Sequence, residues 1–454
     1  MLKFFKKLLL ISFPIILQQL FLNFASLLDT LMVGQLDEIS ISGVYVATQI
    51  VFVANLMIFG SIEGLSVFFS QFFGKKDDKH LKNTFAYKFV YSIIVAIFEI
   101  IIISIFGKNL VSLFVKTNQE IQVALNYLNI VVFSIIPFAI SVTIASTLRE
   151  IHHPVSPMVI TAIGIVMNFF FNYVFIFGKL GFPSLGASGA AIGTLINRLV
   201  EMILLVIVVI VKKYPFSQKF ISSFKIEKEL SKRILLKSIP LFLNETLWSL
   251  TQIILVFFFT KCDSIATSVL PIVQTIFNLL FVVLLGLGNG ISIVVGNTIG
   301  ESKYEGAQKQ AYYSLLLTVV SCLILGVFLA SCASLITNLY KGVGEEAKNI
   351  ASKLIRFSSI YLLINGVNTS LFFLLRGGGK TGAVFFFDSF YGWVISIPLS
   401  FILSSYTNIS FINMYIIVYL SDALKMIVGF ILLLSKKWYK NLTSVNNNQE
   451  VNNI

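Results

Sequence analysis

The sequence predicts an all-α polytopic membrane protein of about twelve transmembrane helices, arranged as two pseudo-symmetric six-helix lobes. Three observations carry that prediction. Of 454 residues, 57% are hydrophobic and only 12% are charged, with a mean hydropathy of +0.89. A soluble globular chain is about 25% charged. The apolar runs also reach the roughly 18 residues needed to cross about 30 Å of hydrocarbon. Finally, the two halves of the chain repeat one another's motifs.

Taken in order, the first half places spans near residues 8–33, 44–72, 85–106, 124–148, 156–177 and 188–211. The second half places them near 234–259, 267–299, 311–338, 350–375, 382–404 and 411–435. The opening MLKFFKKLLLISFPIIL has the basic edge and apolar stretch of a signal peptide. No small-x-small cleavage site follows and the apolar run is too long, so it is expected to be a retained first helix. With the N-terminus cytoplasmic, 23 Lys and Arg fall on or beside the inner connections and 6 on the outer ones. That bias supports an even span count with both termini inside, in a plasma-membrane protein. The longest connection, about 212–233, separates a first lobe over 1–222 from a second over 223–440. A polar tail follows over 441–454.

The net charge of +13 sits in short loops between apolar runs, where it faces anionic headgroups rather than nucleic acid. Lys outnumbers Arg by 29 to 5 and Phe reaches 44, a habit of composition rather than evidence for a drug cavity. Cys262, Cys322 and Cys332 are scattered, and His80, His152 and His153 fall in expected loops without metal spacing. Neither a disulfide framework nor a zinc site is indicated. No nucleophile, metal or phosphate constellation marks a membrane enzyme, so catalytic residues are expected to be none. A channel built as a ring of identical subunits also fits poorly.

The repeat is legible by offset. Ser12-Phe13-Pro14 recurs as Ser238-Ile239-Pro240, and Gly60-xxx-Gly64-x-Ser66 as Gly286-xxx-Gly290-x-Ser292, both at 226 residues. Gln71-xx-Gly74 matches Asn297-xx-Gly300, Gln49 matches Gln274, and Arg149 matches Arg376. Six spans per half is an even number, so the repeats run parallel about an axis along the membrane normal, a transporter architecture. The glycine pairs read first as close helix contacts. Pro14 and Pro240 each remove a backbone bond and permit a bend.

Against this frame, several buried polar groups are specific to one lobe. Asp29 falls on Leu255 in the repeat, Glu245 on Gln19, and Asp388 on Thr161; Asn168 and Asn172 fall on Ile395 and Leu399. The shared scaffold therefore does not require them. An acid in a span costs roughly 2.5–3.5 kcal/mol at mid-depth and marks a wet cavity or a partner. Asp29 follows Leu8 by 21 residues, about 32 Å of helix, so an interfacial position is the alternative, while a kink at Pro14 or a tilted helix brings the acid deeper. Glu245 lies about 18 Å along its span. Glu63 and Asp388 read either as site residues or as structural acceptors. Glu99 reads as a partner of Lys88, and Arg198/Glu201 and Asp422/Lys425 as i, i+3 ion pairs. Acids facing a cavity suit cations: they take up protons, join amide oxygens around an alkali ion, or neutralise an organic cation against aromatic walls. Competition of two cations for one acid is antiport without covalent chemistry.

The ordered stretches SFPIILQQL, LLDTLMVGQL, GLSVFFSQFFGKKD, NFFFNYVFIFGKLGFPSLGASGAAIGT, SIPLFLNETLW and LRGGGKTGAVFFFDSFYGWVISIPLSF resemble the multidrug and toxic compound extrusion (MATE) transporters over about residues 8–440. The resemblance implies alternating access and export of organic cations driven by Na⁺ or H⁺, with no cofactor beyond that ion. By the resemblance, Asp29, Asn168 and Asn172 form the cation-coupling set, a candidate Na⁺ site. Asn172 stands where one branch carries Asp. Glu245 falls five residues after Pro240, whereas some branches place an acid eight after it. Glu63 occupies a position where a small or amide residue is the family expectation. Glu245, Asp388, Gln49, Gln274 and Glu63 are the expected substrate cavity residues. The expected partners are small organic cations and membrane lipid, and the expected working unit is a monomer. A flippase or exporter of lipid-linked or other solutes on the same frame is the alternative.

Overall fold

A computed structural model describes residues 2–115, 117–217, 228–263, 265–338 and 344–443. Among them run twelve helices long and apolar enough to cross a membrane. They are α1 Leu2–Val33, α2 Ile39–Lys75, α3 Asp78–Ser112, α4 Asn118–Glu150, α5 Val155–Phe177 and α6 Ala187–Lys212. The second half gives α7 Glu229–Cys262, α8 Ser268–Gly300, α9 Tyr304–Asn338, α10 Glu345–Gly377, α11 Thr381–Tyr406 and α12 Phe411–Leu434. Every expected span is found. Several helices outrun their apolar stretch because caps, not hydropathy, set their ends. The Asp37, Asp77 and Thr117 side chains accept from the backbone N–H three residues on, and Gly178 ends α5 in the left-handed region. His80 accordingly lies in the first turn of α3, not in a loop.

Irregular turns mark three helices. Ahead of Pro137, α4 tightens into a 3₁₀ turn at Val132–Ser134, because the proline ring lacks an N–H and crowds the preceding turn. Helix α11 widens into π turns at Phe386–Phe390 and Gly392–Ser396, just before Pro398. Helix α12 is interrupted at Ser421.

Helices α1–α6 and α7–α12 form two lobes that meet through α1 with α8, α2 with α7, and α2 with α8. The repeated glycines make this seam. Gly60 backs onto Phe242 and Glu245 of α7, Gly64 onto Ser238, Gly286 onto Ile16 of α1, and Gly290 onto Ser12. Nearer the ends of α2 and α8, a Cβ on Gly74 would lie 2.8 Å from Asn297 Cα. One on Gly300 would lie 2.8 Å from Gln71 Cα. Only glycine allows backbones so close.

One apolar core spans both lobes on the side of the chain termini, with Leu8, Ile15, Phe68, Phe72, Ile291, Val295, Leu374 and Trp438. Toward the opposite face it divides. Val44, Ile58, Tyr127 and Ile135 pack within the first lobe, and Phe259, Val269, Leu354 and Tyr415 within the second. The two lobes are thus joined at the end near the termini and have separate apolar cores at the other.

The chain after α12 straps the joined end. Trp438 is 1% exposed and donates from Nε1 to Gln308 Oε1 (2.6 Å). Lys440 N donates to Gly378 O (2.6 Å), and Leu442 N to Gln71 Oε1 (2.6 Å). Arg233 and Lys75 donate to the Leu442 and Thr443 carbonyls. The strap thus ties α2 of the first lobe to α7, α9 and the α10–α11 turn of the second. Residues 444–454 of the expected tail lie outside the described residues.

Candidate functional site

Asn168 and Asn172 are four residues apart on α5, so both project from one face. That face meets α1 at Asp29. Asn172 Nδ2 donates to Asp29 Oδ1 (2.5 Å) and lies 3.5 Å from Asn168 Oδ1. Both asparagines are buried and Asp29 is partly so. Asp29 therefore faces Asn172 within the first lobe. Gly193 of α6 makes the fit: a Cβ there would lie 3.2 Å from the Asn172 amide carbon.

The site has more oxygen than hydrogen-bond donors. Asn172 Oδ1 is buried without a hydrogen-bond partner. A buried orphan acceptor costs about 1–3 kcal/mol, so it signals a missing partner. Tyr127 and Arg198 lie close enough to act on the Asp29 charge. A carboxylate beside an unpartnered amide oxygen is a hard-oxygen donor set, which fits a proton or an alkali cation. Among the described residues no group of three or more His, Cys, Asp or Glu is placed to hold a metal.

The other expected acids gather elsewhere, at the seam and in the second lobe. Glu63 of α2 pairs across the seam with Arg376 of α10 (2.5 Å), and Glu245 of α7 packs on the same seam against Gly60. Asp388, in the first π turn of α11, accepts from Asn244 Nδ2 (3.2 Å) and from Lys425 Nζ of α12. Ser389 Oγ donates back to the Asn244 carbonyl (2.6 Å), which fixes that turn. Gln49 and Gln274 are half-buried and make no described hydrogen bond to Asp29.

Two expected pairings are corrected. Lys88 pairs with Glu150 of α4 (3.0 Å), not with Glu99, whose two oxygens are buried without a partner. Lys425 turns away from Asp422 to Asp388, and Asp422 instead accepts from Tyr361 Oη (2.6 Å). Arg198 and Glu201 do pair (3.1 Å), within a longer chain. Arg149 donates to Gln18, Gln18 to Thr161, and Thr161 to Glu201. Sequence reasoning missed Asn244 and Tyr361. Asn244 adjoins Glu245, the one signal that pointed to it.

The MatE family profile matches the chain twice, over residues 14–174 and 240–402, one match to each lobe. The chain is 24% identical over 418 residues to a probable multidrug resistance protein NorM of Bacillus anthracis, covering 89% of both chains. It is 25% identical to the NorM of Pasteurella multocida, covering 88% of this chain and 86% of that one. The fold matches an outward-facing multidrug resistance MATE family transporter of the MOP superfamily with a TM-score of 0.86, at 18% identity over 95% of this chain and 96% of that one. A MATE structure in complex with MaL6 matches with a TM-score of 0.86, at 19% identity over 95% and 97% of the two chains. The twofold family match, the twelve helices and the seam between their lobes agree: the chain is a multi-pass membrane protein of the MatE transporter family and not an enzyme.

Proposed function

We propose that this transporter is a cation-coupled antiporter that exports amphipathic organic cations by alternating access, exchanging them for Na⁺ or H⁺ at Asp29. The observation that carries the reading is Asp29 inside the first lobe, held by Asn172, whose own amide oxygen lacks a donor. Such a carboxylate is stabilised by a bound cation and is costly without one. The coupling set is Asp29, Asn168 and Asn172, and the organic cation occupies a cleft between the lobes.

The excess of Lys and Arg on the terminal side supports a cytoplasmic location for both termini. The cleft then faces outward, and the closed seam at Gly74 and Gly300 seals the cytoplasmic side. Both lobes belong to one chain, so a monomer suffices. An anionic or lipid-linked solute is disfavoured because four basic groups within the lobes are matched by carboxylates: Lys88 by Glu150, Arg198 by Glu201, Arg376 by Glu63, and Lys425 by Asp388.

Equilibrium competition tests the exchange. Ethidium binding to the purified protein is titrated with Na⁺ at fixed pH and with H⁺ at fixed Na⁺. One of the two displaces the dye from wild type, and Asp29→Asn removes that dependence. Dye binding indifferent to both ions in wild type contradicts exchange at a shared site.

A further inference from the structure

The two lobes carry a basic residue at the same place in the repeat and use it in opposite ways. Arg198 of α6 and Lys425 of α12 are 227 residues apart, the offset that also relates Arg149 to Arg376 and Thr161 to Asp388. Gln18 and Asn244 correspond at 226. The contacts correspond as well: Gln18 donates to Thr161 (3.0 Å) and Asn244 to Asp388 (3.2 Å). In the first lobe, Arg198 is held by Glu201 on its own helix, which leaves Asp29 with an amide partner and no ion pair. In the second lobe, Asp29 has Leu255 at its place. The acid is at Asp388 instead, and Lys425 reaches it.

The structure assigns Lys425 as a tethered counter-cation that fills Asp388 in the second lobe, so that Asp388 takes no exchangeable cation while Asp29 does. Asp388 is fully engaged: one oxygen takes the Lys425 ammonium and the other the Asn244 amide. The ammonium also lies over the Phe387 ring, 5.0 Å from its centre, and both charged side chains are largely buried, at 13% and 14% exposure. Asp422, three residues before Lys425, is met by Tyr361, while Glu245 and Tyr391 are the other titratable groups near the pair. An acid whose countercharge is covalently attached has no need of a soluble ion. Remove the ammonium, and the buried carboxylate must draw a proton or metal cation from solution. Lys425 is thus a specificity-determining residue for the number of ions exchanged, an inference that rests on the cation-exchange reading above.

Carbodiimide labelling tests it. N,N′-Dicyclohexylcarbodiimide adds to protonated carboxyl groups in apolar surroundings, and peptide mass spectrometry locates the adducts. In the full-length wild type, Asp388 is expected to stay unlabelled. In Lys425→Met or Lys425→Gln, it is expected to label at least tenfold more, while Lys425→Arg restores protection. Two charge-removing variants guard against a folding failure in one. Equal Asp388 labelling in wild type and variants overturns the assignment, as does its absence from a variant that retains the wild-type melting temperature. If Asp29→Asn leaves ion-sensitive dye binding intact while Asp388 responds as described, the exchange reading fails and the tether stands.

Discussion

Asn172 shows how one residue joins local geometry to transport. Its amide holds Asp29 while its own oxygen stays orphaned. A hydrogen bond to a charged group contributes roughly 1.5–3 kcal/mol. Asn172→Leu is therefore expected to weaken the apparent affinity for the coupling ion by about tenfold or more, read from the ion dependence of dye displacement. His152 gives a second residue-scale expectation. It sits in the α4–α5 turn at a positive φ and accepts from Asn297 of the other lobe (2.7 Å). Burial, then the charges of Lys7 and His153, lower its pKa to about 4 from 6.5. The unfolded chain binds this proton more readily, so the contribution to stability is full above about pH 6.5 and is lost as pH falls toward 4. The melting temperature of wild type is expected to fall by a few degrees between pH 7 and pH 5. In His152→Asn, which tolerates the positive φ, that part of the fall should be missing. Asp29, Asn168 and Asn172 were legible in the sequence because each breaks an apolar run. Lys425–Asp388 was not: an acid at i−3 offered a nearer partner, and only the π turn in α11 aims Asp388 at α12.

Helices were the most legible level, since twelve apolar runs leave little choice of element. Their ends were less so, because a capping Asp or Thr extends a helix without adding hydropathy. The repeated glycines announced close contacts but not that these join the two lobes. Packing now makes a sharp expectation for α2 and α8. Gly74→Leu adds a side chain where Asn297 Cα leaves no room. Overpacking of this kind costs typically about 1–3 kcal/mol, borne by the joined state alone. A cysteine pair at Ser70→Cys and Gly296→Cys reports on that state, since a Cβ on Gly296 would lie 3.3 Å from Ser70 Cβ. In a background where Cys262, Cys322 and Cys332 are replaced by Ser, oxidative cross-linking should be efficient. Adding Gly74→Leu should reduce it several-fold.

At the scale of the whole molecule, the shared core and the strap hold one end of the two lobes together, while separate cores leave the other end divided. Alternating access requires the joined end to part during each cycle. Oxidising the Ser70→Cys/Gly296→Cys pair should therefore abolish dye efflux, and reduction should restore it. The central claim, however, is that Asp29 exchanges the driving cation for the exported one. It is tested most directly in proteoliposomes loaded with ethidium, under an imposed Na⁺ or H⁺ gradient, with Asp29→Asn beside wild type. The account expects one of the gradients to accelerate efflux by wild type and neither to accelerate efflux by Asp29→Asn. Undiminished gradient-driven efflux in the mutant would contradict it.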